Sequence, residues 1–332
     1  DIDDLSDALV ENNSIWLGND PSGTTDTASS NVAVGTTALD AVTTADETVA
    51  IGYNALTAAT TGTANTAVGS AALAALTTGS QNVSIGKNSS DAITEGDNNV
   101  AVGDGALSAT TTADDNTALG TQALKLNTTG GQNVAVGRGA LYANTTASNE
   151  TGVGFNAMTA NTTGNANTGI GAYALDANTT AGNNTGLGVL ALTAATTGGD
   201  NTGIGKNALA ANTTGTQNVA VGSGALASNT TVSELTAVGH EAGNAAAGAL
   251  GICAIGYKAA TDTTGNYTTA VGYQALFTNT TGANNTALGW SALRLSTDSA
   301  NNTGLGYNAL AVNTTGASNT AVGSSALDAT TT

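Results

Sequence analysis

The chain has 332 residues, of which 44 are Gly, 3% are aromatic and 9% are charged, and its 24 acids and 6 bases leave a net charge of −18. An average soluble domain carries about 25% charged residues. One Cys and one His exclude a disulfide framework and a His/Cys zinc site, six Lys and Arg exclude a basic nucleic-acid surface, and no run of 18 apolar residues exists to span a membrane.

Residues 1–13 read as a lead-in segment. Their acidic start, DIDDLSDALV, is not a signal peptide. Residues 14–332 read as one repeat domain. An aliphatic-Gly step recurs 19 times from Gly18 to Gly323, every 17 residues except for the 16 between Gly256 and Gly272. A clean unit runs from Asn201 to Gln217, NTGIGKNALAANTTGTQ. The residue before each Gly is Val, Ile or Leu, as at Val34, Ile51, Val136, Ile204 and Val322. Two residues earlier stands mostly Thr or Val, with Ala, Gly or Ser between and Trp16 as the one large exception. This period-2 alternation predicts a short strand. An Ala-Leu segment (Ala55-Leu56, Ala123-Leu124) and an Asn-Thr-Thr segment (Asn161 to Thr163) follow, each read as a further short strand. The core of a coil offers the strand aliphatic, the Leu, a Val or Thr and some Ala, and the alternation leaves open which strand face is interior. The architecture implied is all-β: a parallel β-solenoid, or β-roll, of about 19 coils with a 17-residue repeat, about 90 Å long at roughly 4.8 Å per coil.

Register stacking turns each repeat position into a column. Asn stands four residues before the Gly in 13 of 19 coils, including Asn31, Asn65, Asn116, Asn218 and Asn319, and is expected to form a structural ladder. The residue after the Gly is Tyr257, Tyr273, Trp290 and Tyr307 in four successive coils, and Tyr53 and Phe155 elsewhere. These six are the candidate surface-binding residues, since flat rings suit sugars or apolar partner surfaces. The coil from His240 to Gly256 loses the Ala-Leu and Asn-Thr-Thr pattern and the next is one residue short, so together the coils over 240–272 mark a local defect, bulge or bend.

Chemistry is sparse. His240 reads as an exposed loop residue and Cys253 as a small buried thiol. Asp46-Glu47 and Asp114-Asp115 read as solvated acids, because they do not recur at one slot as calcium repeats do. Eight Asn-Thr-Thr sequons, from Asn127 to Asn313, follow from the repeat itself. No catalytic residues, metal or cofactor are expected, and the chain is read as non-enzymatic.

The run N-T-A-V-G-x-x-A-L-x-x-N-T-T-G resembles repeats of phage tail-fibre proteins and of bacterial surface proteins of tail-fibre type. It is similar, more loosely, to the head repeats of trimeric autotransporter adhesins, whose S-V-A-I-G strand matches Asn82 to Gly86 and Thr48 to Gly52. The lead-in from Leu5 to Asp20 looks like the segment that precedes such repeats. The resemblance implies a homotrimeric rod on a virion or bacterial cell surface. Its expected function is that of an extracellular structural fibre with an adhesive or receptor-binding role. The expected partners are other copies of the chain and a cell-surface glycan or receptor, with no nucleic acid and no membrane insertion. The mid-coil ending at Thr332 implies a fragment or assembly segment. The alternative function is ice binding through Thr and Asn columns.

Overall fold

A computed structural model describes residues 8–18 and 27–329. Residues 1–7 of the lead-in and the ending at Thr332 lie outside the described residues. The chain is a parallel β-solenoid of about 18 turns with a 17-residue repeat, and no helix occurs among the described residues. It falls into two compact units, 1–166 and 167–332. The first opens with a hairpin in which β1 (Ala8–Glu11) pairs antiparallel with β2 (Ser14–Leu17). Asn12 and Asn13 turn this hairpin with φ of 45° and 59°, both in the left-handed region that a tight two-residue turn requires. Trp16 faces Leu9 across the hairpin and is fully buried. Three-residue strands then recur once per turn, from β3 (Val32–Val34) to β10 (Thr151–Val153) in the first unit and from β11 (Thr168–Ile170) to β20 (Thr320–Val322) in the second. Neighbours pair parallel with equivalent residues opposite, such as Val32 with Val49 and Thr168 with Thr185.

There is one strand per coil, not three. The Ala-Leu and Asn-Thr-Thr segments are stacked turns. The reason is local: Leu56, Leu124 and Leu209 adopt φ of 50–53°, outside the β region. This left-handed slot accepts Leu, Met, Ser, Ala and Gly, and Val, Ile and Thr never occupy it, because a branched Cβ clashes there. The coils still bond each other through these turns. Asn54 N donates back to Thr36 O at 3.2 Å, and Leu56 N donates forward to Ala72 O at 3.0 Å. In the Asn-Thr-Thr turn the first Thr donates its backbone and its hydroxyl to the next coil, as Thr60 does to Thr77 O at 3.0 and 3.1 Å.

The strand aliphatic lies outside the core. The strand's central Ala or Gly points inward, and the aliphatic before the Gly points out: Ala50 is buried, while Ile51 is 39% exposed and Leu119 46%. Val34, Val136, Ile204 and Val322 share this outer column. The interior holds the central Ala or Gly, the Ala-Leu pair and two columns of Asn. An aliphatic on the strand's inner face would collide with Leu from the opposing turn. A Cβ on Gly203 already lies 3.2 Å from Leu192 Cγ.

The two Asn columns act differently. Asn31, Asn65 and Asn218 lie in the first, which bridges successive coils. Asn201, for example, accepts Asn218 N at 3.0 Å and donates to Gly215 O at 2.8 Å. In the second, Asn127 donates to Gly130 O at 2.8 Å and closes its own turn. These second-column residues are the sequon asparagines, and all eight are buried. Asn116 accepts Asn133 N at 3.1 Å, and Asn319 N donates to Asn302 Oδ1 at 2.9 Å.

The irregular coils keep the strand register, since Cys253 pairs with Thr236 and Thr269. The lost residue is absorbed in the Asn-Thr-Thr corner at Thr263 and Thr264, so no bulge enters the sheet. Gly243 and Ala260 replace Leu in two successive coils, and Leu235 and Ile252 replace the bridging Asn just before each. Apolar volume lost on one side of the coil is thus restored on another.

Two predictions test this account. Gly205→Ala places a Cβ 2.6 Å from the Gly222 carbonyl carbon at φ 127° and is expected to lower stability by about 4 kcal/mol. Asn201→Ala leaves Asn218 N without its acceptor, while Gly215 O keeps the Asn212 amide at 3.0 Å, and is expected to cost about 1–3 kcal/mol. Denaturant midpoints at constant slope measure both.

Candidate surface-binding columns

The slot after each repeat Gly sits where the chain leaves the strand, so its side chain projects from the corner. Four of the six sequence candidates come together there. Tyr257 and Tyr273 stack at 5.1 Å between centroids, Tyr273 and Trp290 at 5.6 Å, and Trp290 and Tyr307 at 4.9 Å, with planes within 5–13°. His240 is a fifth ring, 5.5 Å from Tyr257. Its signal was available in the sequence, because His240 follows Gly239 in the same slot. It is therefore a ladder member, not an isolated loop residue.

Tyr53 and Phe155 do not join this ladder. Tyr53 is flanked in its column by Thr36 and Ser70 and is 60% exposed. Phe155 lies under the Arg138 guanidinium at 5.7 Å. Stacking uses up the ring faces inside the ladder and leaves ring edges outward. The ladder ends at Tyr307, since its next column position is Ser324, and Tyr307 is 52% exposed.

Polar side chains flank the rings. Lys258 Nζ is 3.2 Å from a Glu241 carboxylate oxygen, and that bond holds the ammonium above its ordinary range. Beside the ladder runs a groove of about 480 Å³ lined by Tyr273, Trp290 and Tyr307 and by Gln274, Ser291, Arg294, Asn308 and Asp328. A second groove of about 240 Å³ in the first unit is lined by Gln122, Arg138, Tyr142 and Asn156. Neither Arg294 nor Asp328 was singled out from sequence, since their column, five residues after the Gly, has no fixed residue type. In the same column Asp91 is pushed up by burial, against its backbone hydrogen bond and Lys125.

The remaining candidates have structural partners. Asp46 Oδ1 accepts Ser29 N at 2.7 Å, and Asp114 Oδ1 accepts Asp97 N at 2.8 Å, so the first acid of each pair caps the preceding coil. Cys253 is not buried. It is a free, half-exposed thiol on the outer strand face, because its position in the alternation is an outward one.

No protein-family model matches the chain, and no curated protein matches its sequence.

The ladder stabilises its coils through ring stacking worth about 1 kcal/mol per contact. Tyr273→Ala with Trp290→Ala removes three of its contacts and is expected to lower the stability of the second unit by about 3 kcal/mol without unfolding it, as read by thermal melts followed by circular dichroism.

Proposed function

We propose that the chain is part of an extracellular structural fibre of a virion or bacterial surface, non-enzymatic, homotrimeric and adhesive or receptor-binding. The observation that carries this reading is the outer strand face. From Ile15 to Val322 its two outward positions hold Ile, Val, Thr or Cys at the first and Val, Ile or Leu at the third, with no charged residue. In a chain of net charge −18, this face of each unit is free of charge and rich in exposed aliphatics among the described residues. A fully buried aliphatic contributes about 1.5–3 kcal/mol, so covering the exposed two-fifths adds about 1 kcal/mol per coil. A second or third copy of the chain is a partner whose columns repeat at the same spacing. Self-association also answers the thinness of a core made of Ala, Leu and Asn. The non-enzymatic reading is supported by where the rare reactive groups sit: His240 is stacked on Tyr257, and Cys253 lies on the strand face.

Ice binding is the second reading. It is favoured by strand-face Thr in register, Thr168 opposite Thr185 and Thr185 opposite Thr202, beside aliphatic columns. The Asn-Thr-Thr corner supports it less, because the first Thr hydroxyl is bonded to the next coil, as Thr128 Oγ1 is to Thr145 O at 2.9 Å.

Light scattering and thiol titration separate the two. The trimer predicts a mass near 95 kDa, three times the 31.8 kDa chain. It also predicts a Cys253 at least tenfold slower toward a thiol reagent in the native protein than in denaturant. A 31.8 kDa species with a freely reactive Cys253 and measurable thermal hysteresis overturns the trimer and supports ice binding.

A further inference from the structure

We propose that the groove at the end of the aromatic ladder binds a neutral oligosaccharide chain, an inference that rests on the adhesive reading and gives it a site. Both grooves occupy the same place on the coil. Their walls are the residues one and five positions after the repeat Gly, and their floor is the residue two positions after it. All six bases of the chain stand on these three columns: Lys87, Arg138 and Lys206 on the first, Lys258 on the floor, Lys125 and Arg294 on the second wall. Nine of the eleven aromatics stand there too. The acids divide differently. Seven share these columns, six of them among the described residues, whereas nine lie nine to twelve positions after the Gly, where there is no base.

This distribution selects the ligand. The groove columns hold seven acids against six bases, so they do not attract a polyanion within a chain of net charge −18. A polycation is drawn to the acidic corner instead. A neutral chain of hydroxyls uses what the groove offers, namely amides that both donate and accept at Gln274 and Asn308, a guanidinium at Arg294 and a carboxylate at Asp328. Two of the residues lining it carry a buried donor with no hydrogen-bond partner among the described residues: Ser291 Oγ, on a residue 1% exposed, and Arg294 Nε. A buried donor without a partner is a recurrent mark of a site that a ligand completes. The outer face of Tyr307, which no ring covers among the described residues, supplies the flat surface against which a sugar ring packs.

The test is affinity electrophoresis of the full chain through gels holding dextran, mannan or hydroxyethylcellulose, with polygalacturonate as the acidic comparison. The expected result is retardation by at least one neutral polymer. The dissociation constant is expected to rise at least tenfold in Tyr307→Ala and in Arg294→Ala, and to stay unchanged in Glu234→Gln on the acidic corner. Tyr307→Ala removes an exposed ring and keeps the test valid if Arg294→Ala folds poorly. Retardation by polygalacturonate alone, by no polymer, or equally in all variants overturns the proposal. Adhesion to intact cells is measured in parallel. Cells bound equally by wild type and Tyr307→Ala remove the groove and keep the adhesive reading. A chain that binds mannan through Tyr307 and Arg294 but adheres to no cell removes the adhesive reading and keeps the groove.

Discussion

The structure depends on the glycine corner. From Gly35 to Gly306 the chain leaves each strand with φ of 127–140°, and the next coil's backbone lies against the corner: a Cβ on Gly52 would meet the Gly69 carbonyl oxygen at 2.5 Å. No other residue meets both conditions. The corner therefore fixes where every strand ends and how closely successive coils approach. Close approach in turn lets one side chain reach two backbone groups of its neighbour, as the bridging asparagines do. It also stacks the rings of the following slot at about 5 Å. The period of 17 is the path length between corners, and the single 16-residue coil keeps its corners by shortening a turn that carries no strand.

From that constraint the coil acquires three unlike surfaces. The strand side is flat, uncharged and aliphatic. The corner after the glycine carries the rings and all the cations. The corner nine to twelve residues on carries acids without bases, some of which cap the preceding coil through backbone N–H groups. The interior has almost nothing in common with a large apolar core. It is Ala, Leu and hydrogen-bonded Asn, and its cohesion comes from satisfied polar groups packed at short range as much as from apolar burial. Such a coil is stable only in a stack, which is why the Asn and Thr bonds run mainly between coils.

The fold class was legible from the repeat alone, since 19 glycines spaced at 17 residues with a single interval of 16 admit little else. The aromatic column was legible for the same reason. Three features were not. The inward face of a three-residue strand cannot be read from an alternation in which one side is tiny and the other aliphatic, and burial rules favour the wrong choice. The Ala-Leu and Asn-Thr-Thr segments look like strands because their residues are apolar or β-branched. Their left-handed Leu and paired turns become evident only with backbone angles. The groove escaped notice because its cations and acids vary in type from coil to coil, so only their shared column, once the coil is closed, brings them together.

The sequence by itself determined the period, the register and the identity of each column, because stacking at a fixed repeat maps sequence position directly onto a line of side chains. Tertiary structure alone decided which columns face in. That choice turns on whether a side chain clears the turn packed opposite it, as Leu192 sits opposite Gly203, and this is a distance between residues that no local pattern encodes.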